Sequence, residues 1–426
     1  MLWRGKTTWL VALSAVLMWL FQVESYAPNN RVWGARPPLD FDIYYQAGQE
    51  IIAGRELYDA PFIGNLPFTY PPFSAAVFSF LTRWPLVTAA TVWQLLSVLA
   101  LLAVVFAVFA ERKVEFSVPV VAIGTGIAFA SIALDSIKGT FYYGQINLFL
   151  MLSVTLDLLP AKRPWAGVGV GLAAGLKLTP AFFGLNFLLE RNWRALIVSV
   201  LTFIGTVIVG FIYVPDARRF WTDSVFHSER IGAESNPGDQ SIKAVLFREL
   251  GGGSNGLWLC AVGIVVFFCV VGVRRSLQQG NKSFAMALSG LTAVLISPFS
   301  WFHHWVWLVP LCVCVACFIN EKWEKLRVKQ GWDGVGGWLF SQLGALLAVG
   351  FIGVTMIPFY SKYIMASFGW AHPNRSDIFL WRQSFILEGV AIVVGYGLFA
   401  LVMMIVSWHR KEQRDETEDR EFSTAK

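Results

Sequence analysis

The sequence predicts an all-α protein that crosses a membrane many times. Three observations predict it. Of 426 residues, 56% are hydrophobic and only 15% are charged, against roughly 25% charged in soluble domains. Apolar runs of about 20 residues recur along the chain, the length a helix needs to cross a bilayer. Short clusters of Lys and Arg separate these runs, as the positive-inside rule requires of cytoplasmic loops. An outer-membrane barrel would show short alternating strands instead, and none is visible. The net charge of +6 comes from the inter-span clusters, so it points to no nucleic-acid partner. The 19 Trp and 35 Phe suit interfacial belts and an aromatic-lined cavity equally. Cys260, Cys269, Cys312, Cys314 and Cys317 fall inside predicted spans. They read as small buried hydrophobes, without disulfide or metal spacing.

The first apolar run, Trp9 to Val23, follows Arg4 and Lys6. It reads as an uncleaved first span, although Ser25-Tyr26-Ala27 also fits a signal-peptide cleavage site. Residues 24–84 then form a long first outer loop. Within it, Asp40 to Ala53 is expected as an interfacial helix: Asp40 or Asp42 can cap it, Ile43, Ala47 and Ile51 share a face, and Gly54 ends it. Tyr70-Pro71-Pro72 turns the chain, since proline continues no hydrogen-bond ladder.

Further spans are expected over 86–110, 118–137 and 145–159. The run 165–190 is interrupted by Lys177-Leu178-Thr179-Pro180, and Arg191 and Arg194 lie beyond it. A broken hairpin keeps those arginines cytoplasmic, and broken helices are tolerated where they line a cavity. Spans over 195–214, 256–273, 284–297, 302–319, 339–358 and 385–407 complete ten full spans. With the hairpin counted as two, there are about 12 membrane helices, both termini inside. Residues 1–408 form one transmembrane domain with a second outer loop at 215–255, and 409–426 form a charged, disordered cytoplasmic tail. The outer loops keep Arg36, Arg218, Arg219, Arg230 and Lys243. That suits an anionic ligand, or reflects only that long loops translocate regardless of charge.

Ionisable groups at membrane depth are functional candidates because burying them is costly. Here they are Asp40, Asp42, Lys177, His303 and His304. Adjacent histidines on a helix point about 100° apart, so no shared metal is expected. Gln145, Asn147 and the Asp239-Gln240-Ser241 run can bind sugar hydroxyls or simply cap helices. These residues alone predict an outward-facing polar cavity for an anionic, hydroxyl-rich or lipidic ligand.

Five motifs occur in order: Asp40-Phe41-x-Ile43-Tyr44-Tyr45-x-Ala47 with Gly54 and Leu57-Tyr58; Tyr70-Pro71-Pro72-Phe73; Gly144-Gln145-Ile146-Asn147; Gly171 to Pro180 around Lys177; and Ser297-Pro298-x-Ser300-Trp301-x-His303-His304. In this order they resemble glycosyltransferase family 87, the actinobacterial polyprenol-phosphate-mannose-dependent α-mannosyltransferases. Asp239, where an Asn-bearing motif is expected, departs from the pattern. The resemblance implies a GT-C fold in the plasma membrane with its active site outside. It also implies a polyprenyl-phosphate-mannose donor and a glycolipid acceptor, either a phosphatidylinositol mannoside or lipomannan and lipoarabinomannan. Transfer would proceed with inversion to an α-(1→2) linkage. It makes Asp40 the catalytic base. Lys177, His303, His304 and Arg36 would hold the donor phosphate, and no metal cofactor would be needed. Asp42, Tyr70, Gln145, Asn147, Gln240, Ser241 and Trp301 would contact sugar or acceptor. A polyprenyl-phosphate-sugar flippase, or a GT-C enzyme using lipid-linked arabinose, would share much of this cavity.

Overall fold

A computed structural model describes residues 15, 37–58, 61–160, 163–252, 254–359 and 383–424. Apart from Ala15, the expected first span lies outside the described residues. So do Arg36 and most of the loop 359–384. The described residues form helices and turns, with only two isolated β-bridges.

Helix α1 (Leu39–Ile52) matches the expected interfacial helix, and Gly54, at φ +69°, ends it. Neither acid caps it. Pro38 occupies the cap position and its carbonyl accepts from Asp42 N, which leaves both carboxylates on the first turn. Negative charge is favourable at that end of a helix. Helix α2 (Pro72–Phe78) begins at the second proline of the predicted corner, and α3 (Leu86–Glu111) is the expected second span.

The third expected span breaks. Helix α4 (Val118–Ala130) passes through a short 3-10 turn, and α5 (Asp135–Tyr143) follows where an outer loop was expected. Burial stabilises this helix: Ser136 to Phe141 are buried, and Gly139 lies against the Phe302 and His303 side chains. Helix α6 (Asn147–Leu158) has 12 residues. At about 1.5 Å per residue it extends roughly 18 Å, short of a ~30 Å bilayer core.

The hairpin forms as the charge pattern requires. Helix α7 (Val168–Leu176) stops at Lys177, a 3-10 turn runs over Thr179–Phe183, and α8 (Gly184–Leu189) returns. Helix α9 (Trp193–Tyr213) packs along it. Gly167, Gly171 and Gly175 meet Ala195, Ser199 and Thr206 in rising order, whereas Gly184 faces Leu196. So α7 runs with α9, and α8 comes back against it. Arg163 and Glu190, at the two ends, are ion-paired at 2.6 Å. A Cβ on Gly171 would sit 2.5 Å from the Ser199 carbonyl oxygen. Gly171→Leu is therefore expected to force α7 off α9 and cost about 1–3 kcal/mol. It should show as a lower thermal midpoint of the detergent-solubilised protein, and an unchanged midpoint would count against this packing.

The loop 215–255 carries α10 (Ala217–Thr222) and α11 (Ile242–Leu250). Helix α12 (Asn255–Gln278) follows, then α13 (Lys282–Ile296), which is nearly all buried and only 15 residues long. The expected span at 302–319 is displaced. Phe302–His304 is a 3-10 turn, and α14 runs later, over Leu308–Lys329. The histidine pair thus lies in a turn rather than on a helix. Helix α15 spans Gly334–Thr355. Helix α16 (Ser384–Thr424) continues through the tail expected to be disordered; its Arg, Lys, Glu and Gln residues rank high in helix propensity.

Among the described residues, five helices are long and apolar enough to cross a membrane: α3, α9, α12, α15 and the apolar part of α16. Shorter apolar helices complete the bundle. The end remote from Lys177 is stitched by polar groups. Arg112 pairs with Glu321 at 3.1 Å, Lys282 with Glu190 at 3.2 Å, and Glu111 accepts from Lys282 N and Ser283 Oγ.

Candidate active site

Gly144 sets the geometry of the site. It ends α5 at φ +69°, a left-handed conformation that favours glycine. A Cβ there would lie 2.8 Å from the side chains of both Pro38 and Phe41. The bare backbone lets the first turn of α1 dock on this corner, which brings Asp40 to Gln145. Gln145 Nε2 donates to Asp40 Oδ2 in a short contact. Tyr70 Oη donates to Gln145 Oε1 at 2.9 Å, so Tyr44, 2.7 Å away, must donate to Tyr70. The result is a chain of donors, Tyr44 to Tyr70 to Gln145, ending on the carboxylate. Burial pushes the Asp40 carboxyl up to about 6, while the Gln145 hydrogen bond and the charge of Lys177 act in the opposite direction.

Asp40 lines a cavity of about 560 Å³ that also contains Tyr70, Gln145, Lys177, Trp301 and His304. Lys177 stands at the hairpin break with extended backbone. Its Nζ donates to Asn147 Oδ1 at 3.1 Å and lies 5.4 Å from the centre of the Tyr70 ring, a cation–π distance. The break thus projects an ammonium into the same space as the Asp40 carboxylate.

The two histidines separate. His304 lines the cavity, its Nδ1 3.5 Å from Ser300 Oγ. His303 is buried behind it, among Tyr143, Trp301 and Phe302. Its carbonyl accepts from Asn147 Nδ2 and Thr140 Oγ1. Asn147 therefore links the histidine turn to Lys177 and does not line the large cavity.

Other expected contacts are also placed elsewhere. Asp42 accepts from Gln46 at 3.0 Å, one helical turn on, and lies outside the cavity wall. Gln240 is fully buried, its N–H donating to the Ser300 carbonyl and its Nε2 to Pro237. Ser241 caps α11 through Ala244 N. Asp239 Oδ1 accepts from the N–H groups of Ser241 and Ser300. Together these residues staple the 215–255 loop onto the 297–301 corner. Burial pushes the Asp239 carboxyl up to about 6.

Sequence reasoning missed Tyr44 and His227, both in the cavity wall. Tyr44 is four residues after Asp40, on the same helical face, so its signal was available. His227 offered none.

Comparison with known proteins adds a lineage to this geometry. The model of glycosyltransferase family 87 matches residues 68–298, more than half the chain. The chain belongs to glycosyltransferase family 87. A polyprenol-phosphate-mannose-dependent alpha-(1-2)-phosphatidylinositol mannoside mannosyltransferase of Mycobacterium tuberculosis is 34% identical over 319 residues, covering 70% of this chain and 74% of that protein. A polyprenol-phosphate-mannose-dependent alpha-(1-2)-phosphatidylinositol pentamannoside mannosyltransferase of Mycolicibacterium smegmatis is 33% identical over 345 residues, covering 78% of each. No solved structure matches. The family 87 match takes in Tyr70, Gln145, Lys177 and His227 of the cavity; Asp40, Trp301, His303 and His304 lie outside its limits.

Proposed function

We propose that this family 87 enzyme moves mannose from polyprenyl-phosphate-mannose to a mannosylated phosphatidylinositol or a lipomannan-type acceptor. Transfer proceeds with inversion to an α-(1→2) linkage, on the outer face of the plasma membrane. The observation that carries this reading is one cavity holding a half-buried carboxylate, Asp40, and an ammonium, Lys177. The names of the relatives support the donor and acceptor classes. The architecture we propose is GT-C, with full and partial helices making up the twelve of the sequence reading and both termini inside.

Asp40 takes the proton from the acceptor hydroxyl as its oxygen attacks the anomeric carbon. The carbon–oxygen bond to phosphate breaks, and polyprenyl phosphate leaves as an anion. It needs no protonation, unlike the leaving oxygen of a glycosidase substrate. It needs positive charge where the negative charge grows. Lys177 supplies that charge, His304 adds a donor, and the reaction runs without a metal. Trp301 offers a ring for a sugar face. Tyr70, with its hydroxyl committed to Gln145, positions Asp40 rather than substrate.

The deciding assay is transfer of radiolabelled mannose from polyprenyl-phosphate-mannose to phosphatidylinositol mannosides by the purified protein, with EDTA present and the product linkage determined. α-(1→2) product is expected. Tight donor binding without transfer to any acceptor would point to a flippase.

The pH profile follows from the geometry. The base works as carboxylate, so kcat/KM should fall about tenfold per unit below pH 6. Gln145→Leu removes a hydrogen bond that favours the charged form, so the acid limb should move to higher pH. A limb unmoved by this change would separate Asp40 from the titration.

A further inference from the structure

A second cavity of about 510 Å³ adjoins the first, within the roughly 300–1,000 Å³ of small-molecule sites. Pro67, His227 and Arg230 line both, so they form the shared wall. The second cavity is polar. Asn65, Arg219, Asp223, Glu229 and Arg230 line it, together with Tyr58 and two prolines.

Its charges are matched. Two guanidinium groups stand against two carboxylates, and His227 Nδ1 lies 3.6 Å from Asp223 Oδ1. Arg230 donates to the Tyr58 carbonyl at 3.0 Å, its guanidinium 6.0 Å from the Tyr58 ring centre. Lys243, another basic residue kept in this loop, is ion-paired with Glu234 at 2.6 Å. A site built for an anion would leave an excess of positive charge. A site built for hydroxyl groups needs acceptors and donors interleaved: carboxylates accept O–H protons, and guanidinium and amide groups donate to hydroxyl oxygens. The prolines and Tyr58 add apolar faces for the C–H side of a sugar ring.

We infer that this second cavity is a sugar subsite that holds a neutral hexose of the acceptor, one that does not itself react. The inference rests on the reading that Asp40 activates a glycan hydroxyl in the first cavity. An acceptor with several hexoses must extend out of that cavity, and the wall at Pro67, His227 and Arg230 is a path to this one. Arg219 and Arg230 of the outer loop then serve recognition of neutral sugar rather than of a lipid phosphate.

The test uses the purified full chain and the variants Glu229→Ala and Asn65→Ala. Both side chains are exposed, so removing them leaves no buried void. The readout is the ratio of kcat/KM for a trimannosylated over a monomannosylated phosphatidylinositol acceptor. The ratio should fall about tenfold in Glu229→Ala and severalfold in Asn65→Ala. An unchanged ratio overturns the subsite, whether the two rates are kept or fall together, and leaves the transferase reading intact. In a second arm, binding of free mannotriose is followed by tryptophan fluorescence. Binding by wild type that Glu229→Ala weakens supports the subsite even if wild type transfers nothing, an outcome that sinks only the transferase reading. Binding of inositol phosphate but not of mannotriose, lost on Arg219→Ala, overturns the neutral-sugar assignment.

Discussion

Asp40→Asn is expected to lower kcat by about 10³-fold, within the range for removal of a general base, with donor affinity nearly unchanged. The change is a clean one because asparagine keeps the oxygen that accepts from Gln145 Nε2. The chain from Tyr44 through Tyr70 to Gln145 can therefore persist, and so can the docking of α1 on the Gly144 corner. What is lost is the capacity to take a proton. Asp42→Asn is the matching control. Asp42 faces Gln46 outside the cavity, so its rate should stay within a few fold of wild type. Initial rates of mannosyl transfer, with donor binding measured separately, distinguish the two. Full activity in Asp40→Asn, or loss on Asp42→Asn alone, would move the base off Asp40.

The choice between these two acids marks where the sequence stops informing. Their spacing was legible: two residues on a helix put the side chains about 200° apart, so only one can face a given cavity. Which one does so depends on how α1 docks, and that is fixed by a glycine a hundred residues away. The Lys177 break was legible for a different reason. Charge on both flanks of the 165–190 run demanded a return to the same side, and Lys-Leu-Thr-Pro interrupts the helix where the return happens. Hydropathy failed for 118–159 because it cannot separate burial in lipid from burial in protein. Helix α5 is short, yet its face against the Phe302–His304 turn is as buried as a core. Gln240 and Ser241 show a similar ambiguity. A polar pair in a loop reads the same whether it binds sugar or caps a helix, and here their hydrogen bonds run to Ser300, Pro237 and Ala244.

Lys177→Met carries the second large effect, an expected fall in kcat of about 10²–10³-fold, comparable to loss of one preorganised group at a site of developing charge. Methionine is unbranched and flexible, so it can fill much of the same space; the substitution removes the charge and the hydrogen bond to Asn147. The loss should appear mainly in kcat. An ammonium that only anchors the donor would stabilise ground and transition states alike and change donor affinity alone. On the proposed mechanism, negative charge moves onto the phosphate oxygen that breaks from the sugar, so the interaction would strengthen along the reaction. A second consequence runs through Asp40. The charge of Lys177 favours the carboxylate form of Asp40, so removing it should also shift the acid limb of the pH–rate profile to higher pH. A variant with intact kcat, a raised donor Kd and an unmoved limb would reduce Lys177 to a ground-state anchor. A fall in kcat together with the shifted limb would tie the hairpin break to both halves of the chemistry: the charge that leaves with the lipid phosphate and the proton that Asp40 removes.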